Sequence, residues 1–175
     1  MPSGKTHDVI TSLLAIPVLV GTFVATRDIW LASIVSVGFA FGGLMFGPDL
    51  DTVSTQYSRW KIFRFLWIPY RMFFKHRSRW SHGLIFGTLI RVVYFMGVAT
   101  LAAFVIAYAY ASYLGGSLPG FWKFPGVWGD LRQYADAVFG MYGLVGLFVG
   151  LWAGAASHTF TDLAGTYIKT GRARV

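Results

Sequence analysis

The sequence predicts an all-α integral membrane protein, a bundle of about four transmembrane helices with one further helix lying at the membrane interface. Three observations predict it. Of 175 residues only 13% are charged while 55% are hydrophobic, against roughly 25% charged in a soluble domain. The uncharged residues fall into four long runs, residues 9–25, 29–46, 92–122 and 137–157, and such runs mark membrane spans and not a large core. The basic residues gather on one side of the resulting thread, as the positive-inside rule requires of a multi-pass chain.

The elements follow in order within a single domain, residues 1–175. The first helix covers about residues 9–25 and the second about 29–46; both are short against the usual need of about 20 residues. Lys5 ahead of the first run gives it the look of a signal peptide, but no small-x-small cleavage site follows Val24, so the helix is expected to be retained. Residues 60–74, WKIFRFLWIPYRMFF, mix aromatics with Lys61, Arg64 and Arg71. That composition suits an interfacial helix at headgroup level, broken at Pro69 and able to meet anionic lipid. A third span covers about residues 83–112. The segment Gly115–Gly129, with Pro119, Pro125, five glycines and two tryptophans, reads as a compact interfacial cap. A fourth span covers about residues 137–167.

With the amino terminus in the cytoplasm, cytoplasmic segments hold Lys5, Arg59, Lys61, Arg64, Arg71, Lys75, Arg77, Arg79, Lys169, Arg172 and Arg174, and the far side holds Arg27, Lys123 and Arg132. Eleven against three places both termini in the cytoplasm. This asymmetry accounts for most of the net charge of +8, so no nucleic-acid partner is expected. With no cysteine in the chain, disulfides, thiolate zinc sites and cysteine nucleophiles are excluded together. All seven acids are aspartates.

That topology brings all four histidines to the cytoplasmic interface: His7 before the first helix, His76 and His82 before the third, and His158 at the inner end of the fourth. Asp49 and Asp51, in Gly-Pro-Asp-Leu-Asp, follow directly after the second helix. Asp162 lies one helical turn beyond His158 and on the same face. Acids at a helix carboxyl end are disfavoured by typically 0.3–1 kcal/mol each; a bound cation reverses that cost, and so would the neighbouring arginines. Imidazole and carboxylate without thiolate suit zinc, manganese or iron. Seven candidates, His7, Asp49, Asp51, His76, His82, His158 and Asp162, exceed one tetrahedral site and suit two ions sharing a carboxylate.

Plainer readings stand beside each. A single interfacial histidine is more often a structural hydrogen-bonding group, and Pro-Asp-x-Asp serves as a simple turn. Asp8 is an eighth ligand, a supporting partner or a helix cap. Thr6, Ser81 and Ser157 each precede a histidine and either cap helices or support ligands. Arg91 lies nine residues after His82, about 13 Å along a helix. It either points back to the metal residues and binds an anion such as phosphate, or snorkels to the cytoplasmic surface, the plainer reading.

The opening Pro2-Ser3-Gly4-Lys5-Thr6-His7-Asp8, the stretch Phe41 to Asp51 (FGGLMFGPDLD), His76-Arg-Ser-Arg-Trp-Ser-His82-Gly83 and Ser157-His158-x3-Asp162 occur in an order that resembles a family of bacterial integral-membrane proteins grouped as a metal-binding domain of unknown function. The resemblance runs from the amino terminus to about Ile168. More distantly the order resembles the membrane-bound metal-dependent hydrolases, which look loosely akin to zinc-dependent phospholipases and nucleases. Those soluble helical enzymes use a glutamate, which this chain lacks. The resemblance implies ligation by the same seven residues and hydrolysis of a phosphoester at the membrane.

The expectation is therefore a multi-pass protein of a bacterial membrane that binds a divalent metal, zinc before manganese or iron, as one or two ions. It hydrolyses a phospholipid or other phosphate-bearing substrate at the cytoplasmic face, with Asp51 or Asp162 taking the proton of water. The alternative is a non-enzymatic protein whose metal is structural or handed on to a protein partner of unknown kind. A haem site fits poorly beside surplus aspartates, and a transporter site belongs nearer the bilayer midplane.

Overall fold

A computed structural model describes residues 4–74, 83, 85–114 and 124–171. The described residues are all-α, with no strand. Helices α1 (Gly4–Thr26) and α2 (Ile29–Met45) form a hairpin. Short elements follow: a 3-10 turn at Pro48–Asp51, α3 (Thr55–Arg59), a 3-10 stretch at Lys61–Trp67, and α4 (Ile68–Phe73). The long helices α5 (Phe86–Tyr113) and α7 (Gly143–Thr170) flank α6 (Phe124–Phe139). Three of these, over Gly4–Thr26, Phe86–Tyr110 and Gly143–Ile168, are long and apolar enough to cross a membrane, and α2 is a shorter apolar helix. At 1.5 Å per residue, α2 spans about 26 Å, slightly less than a typical hydrocarbon core.

The α1–α2 turn is closed by Asp28, whose Oδ1 accepts from the backbone N–H groups of Trp30 (2.8 Å) and Leu31 (3.0 Å), two of the donors a helix start leaves orphaned. Ser36 then donates to the Ala15 carbonyl at 2.9 Å, joining the two helices midway. Most of α1 remains apolar and exposed, with Leu13, Ile16, Val20 and Val24 uncovered, as suits a helix facing lipid. His7 and Thr11 are its buried residues.

The largest helix contact is between α2 and α7, and glycines make it possible. A Cβ at Gly42 would lie 2.9 Å from Leu151 Cα, and one at Gly150 would lie 3.0 Å from Phe39 N. Small residues spaced along a helix let backbones approach in this way.

The carboxyl end of α2 is capped by side chains instead of water. Its last carbonyls have no partner within the helix. Gln56 Nε2 donates to the Gly43 carbonyl (3.1 Å), Arg59 Nη1 to Leu44 (2.9 Å) and Trp60 Nε1 to Met45 (3.2 Å). Residues 56, 59 and 60 share one face of a helix, so α3 docks across the end of α2 as a unit. Arg59 also brings positive charge to a negative helix pole.

Residues 60–74 divide between core and surface. Trp60, Trp67 and Tyr70 are buried with Phe46, Leu50 and Val92, and the Phe46 ring meets those of Trp67 and Phe95 edge-on at 5.5 and 5.0 Å, a favoured aromatic arrangement. Ile62, Phe63, Phe65, Met72 and Phe73 face outward. Pro69 sits in the first turn of α4, where its missing N–H costs nothing. Residues 60–74 thus contribute to the core as well as to the surface.

The second half of the chain differs from the sequence reading in one element. Where a cap through Gly129 and a span from about 137 are expected, a separate helix, α6, runs from Phe124 to Phe139 and ends at Gly140, whose φ of 78° turns the chain into α7. Polar residues within it, including Arg132 and Asp136 at i and i+4, mask the helix from a search for apolar runs.

Candidate metal centre

Three elements deliver the site. α1 carries His7 in its first turn, α7 carries His158 and Asp162 on one face of its second half, and the turn after α2 carries Asp49. The close α2–α7 contact sets the turn beside His158. All of His7, His158 and Asp162 are buried.

His7 Nε2 lies 3.1 Å from Asp162 Oδ1, and His158 Nε2 lies 3.8 Å from Asp162 Oδ2 and 4.0 Å from Asp49 Oδ2. The two imidazoles stack at 3.8 Å between centroids and 13° between planes. One ligand atom from each of His7, His158 and Asp162 lies within 4.8 Å of the others. These atoms are not satisfied by one another: His158 Nε2 and Asp162 Oδ1 are buried without a hydrogen bond. Buried polar atoms are otherwise almost always paired.

The cluster fits a divalent cation. Tetrahedral zinc with bonds of about 2.0–2.2 Å separates its ligand atoms by roughly 3.4 Å, and the distances of 3.1 and 3.8 Å to the two Asp162 oxygens bracket that value. Two imidazoles and a carboxylate also suit borderline metals by type.

A cavity of about 370 Å³ opens beside the trio. His7, His158, Asp162 and Asp49 line it together with Asp8, Ser54, Thr55 and Arg59. Arg59 Nη2 is ion-paired with Asp8, so Asp8 meets a guanidinium, a role none of its sequence readings named. Gln56, also on the wall, is within 3.1 Å of His158 Nδ1.

Not every expected residue reaches this cavity. Asp51 is buried but does not line it, and neither does Arg91. Arg91 is fully buried in α5, where Nη2 donates to Thr88 Oγ1 at 3.1 Å; Tyr70, Asp51 and Asp49 supply the surrounding polar and negative groups. Burial pushes the Tyr70 hydroxyl above its usual value despite Arg91 beside it. His76 and His82 lie outside the described residues. Sequence reasoning missed Gln56 and Arg59. Their signal was faint: polar groups at i and i+3 just after a helix end, on the face that caps it.

The fold and site define an all-α protein with three helices long and apolar enough to cross a membrane and a buried His-His-Asp cluster. The chain belongs to the family described as "Uncharacterized metal-binding protein (DUF2227)", which it matches over residues 2–172. It is also 37% identical over 59 residues to an "Uncharacterized protein" of Aquifex aeolicus (strain VF5), a match covering 33% of this chain and 41% of that protein. The chain thus spans about two fifths of the length of that relative. No solved structure matches it.

Proposed function

We propose that this protein is a metal-dependent hydrolase of a phosphoester, acting on a lipid-borne or other interfacial phosphate at the cytoplasmic face of a bacterial membrane. One observation carries the reading: among the described residues, a three-residue donor set borders a cavity large enough for more than water. Structural zinc sites are closed by four protein ligands, whereas catalytic sites keep three and leave a position open. Zinc suits the donors best, with manganese and iron behind it.

His7, His158 and Asp162 would hold the ion. A divalent cation supplies Lewis acidity to the phosphoryl group and makes water a nucleophile near neutral pH. Asp49, which also lines the cavity, would accept the proton of water, a role for which Asp51 is less well placed because it does not line the cavity. Asp162 serves in the ligand set. The basic residues around α3 and α4 favour an anionic headgroup, and the charge asymmetry along the chain supports a cytoplasmic site.

A structural role is the second reading, and His7 favours it. Because His7 and Thr11 are the buried residues of α1, a cation on His7 would clamp the start of α1 to α7. The test is zinc- or manganese-loaded protein in lipid nanodiscs, assayed against phosphomonoesters, diesters and lipid phosphates, beside His158→Ala and Asp162→Asn. Turnover in the wild type that vanishes in both variants is expected. Wild-type protein that retains its metal and hydrolyses none of the panel overturns the hydrolase reading and leaves the structural one.

A further inference from the structure

The partner on one nitrogen of an imidazole decides which nitrogen is left for a cation. For His158 that partner is Gln56. Gln56 Nε2 lies 3.1 Å from His158 Nδ1 and 3.1 Å from the Gly43 carbonyl oxygen. A carbonyl only accepts, so the end of the amide facing Gly43 is the NH2 group. That assignment comes from the network and not from the shape of the side chain. The two amide hydrogens are then both committed, one to Gly43 and one to His158. Both side chains are buried, at 5% exposure for Gln56 and 4% for His158.

His158 Nδ1 therefore accepts, and a neutral ring in this position carries its hydrogen on Nε2. Nε2 is the nitrogen that faces Asp162 and Asp49, the one whose lone pair a cation needs. Meanwhile Gln56 Oε1 is buried without a hydrogen bond.

We propose that Gln56 is a positioning residue that sets the tautomer of His158: its amide holds the ring with hydrogen on Nε2 when no metal is bound, and ligation through Nε2 requires the amide to turn over so that Oε1 accepts from Nδ1–H. The inference rests on the reading of His158 as a ligand and is independent of any hydrolysis. The hydrogen lost at Nε2 is matched by the one gained at Nδ1, so the ring stays neutral. The turn costs the Gly43 carbonyl its donor, so the amide opposes loading until the cation contact outweighs that loss. Gly47 gives the amide its room. A Cβ there would run into both amide atoms of Gln56, while its φ of −65° is open to any residue; glycine is needed for space and not for conformation.

The test uses the full chain in detergent micelles with 15N-labelled histidine, and the His158 signals are assigned by their loss in His158→Gln. Long-range 1H–15N spectra tell a hydrogen-bearing ring nitrogen from a bare one. Nδ1 of His158 is expected to be bare in the metal-free wild type and hydrogen-bearing after zinc is added. Gln56→Leu should mix the two tautomers in the metal-free protein. Gln56→Glu, whose carboxylate accepts from Nδ1–H without turning, should bind zinc about tenfold more tightly, within the range that supporting residues control. If Gln56→Leu does not fold, Gly47→Ala displaces the same amide, and the wild-type spectrum decides alone. Hydrogen already on Nδ1 in the metal-free wild type overturns the proposal, while zinc-induced shifts keep the metal reading. Zinc that leaves the His158 signals unmoved overturns both.

Discussion

The centre depends on how closely α2 and α7 approach, and a single methyl group tests that dependence. Gly154 lies one helical turn before His158. A Cβ on it would sit 2.8 Å from Gly43 N and 2.8 Å from Phe39 C, and nearer still to the Phe39 carbonyl oxygen. Ordinary contact begins at about 3.4 Å, and the Phe39 carbonyl oxygen is the nearest obstacle, so Gly154→Ala must part the helices by roughly 1–1.5 Å. The obstacle is backbone on both sides, so no rotamer change relieves it. Overpacking of this kind typically costs about 1–3 kcal/mol, partly offset by the better helix propensity of alanine, up to about 1 kcal/mol. The separation opens where Gly43 holds Gln56 and where α2 delivers Asp49 to α7, so part of the cost falls on the site. Each 1.4 kcal/mol is a factor of ten, so with about half of the cost on the site zinc affinity should fall roughly 2- to 12-fold.

Zinc affinity is measured by competition with a chromophoric chelator in micelles, and stability by titration into a denaturing detergent. Gly97→Ala is the control, since a Cβ there meets nothing within 4 Å; it should leave zinc affinity unchanged and stability the same or slightly higher. Gly154→Ala protein that binds zinc and unfolds like the wild type would refute the reasoning, because the helix contact would then not set the site.

Two further outcomes follow from the same geometry. His7→Ala should weaken zinc at least about tenfold and so cut the stabilisation that zinc confers from about 2.7 kcal/mol, at 100 times the wild-type Kd, to about 1.4 kcal/mol or less at the same zinc concentration, read as a smaller shift in melting temperature between zinc and chelator. Arg91→Met removes a fully buried charge from carboxylate and hydroxyl partners and should destabilise by about 3–5 kcal/mol while changing zinc affinity less than twofold in the folded fraction; a larger loss of affinity at unchanged stability would place Arg91 in the site.

Much of the fold was legible because its signals are local. Uncharged runs at residues 9–25 and 92–122 mark the apolar helices Gly4–Thr26 and Phe86–Tyr110 through composition alone, and no tertiary information alters them. α6 was missed for the complementary reason: Asp130, Arg132 and Asp136 break the run, and the helical period beneath a mixed composition is a weaker signal than an unbroken one. The aromatic segment was half legible. Its composition gives the interface, but which aromatics turn inward is decided by the partners Phe46 and Phe95, and these lie outside the segment.

The site divides along the same line. His158 and Asp162 are four apart on one helix, so their joint presentation follows from helical geometry, and the positive-inside rule adds His7 and Asp49 by placing four chain ends on one rim. What topology cannot supply is which groups on that rim share a wall. Asp49 and Asp51 are two residues apart in one turn, yet only Asp49 lines the cavity, because Leu50 and Asp51 are drawn into the packed interior with Tyr70. Arg91 is drawn the same way. Its charge marks it in the sequence as a residue for anions, but inside the fold the anions it meets are the chain's own carboxylates. Gln56 shows the converse: it carries no charge and belongs to no motif, and its importance comes from facing an orphaned helix carbonyl and an imidazole at once. Charge and residue type are legible in a sequence, whereas the sharing of hydrogen-bond partners is a property of the packed helices, and the control of a metal centre resides there.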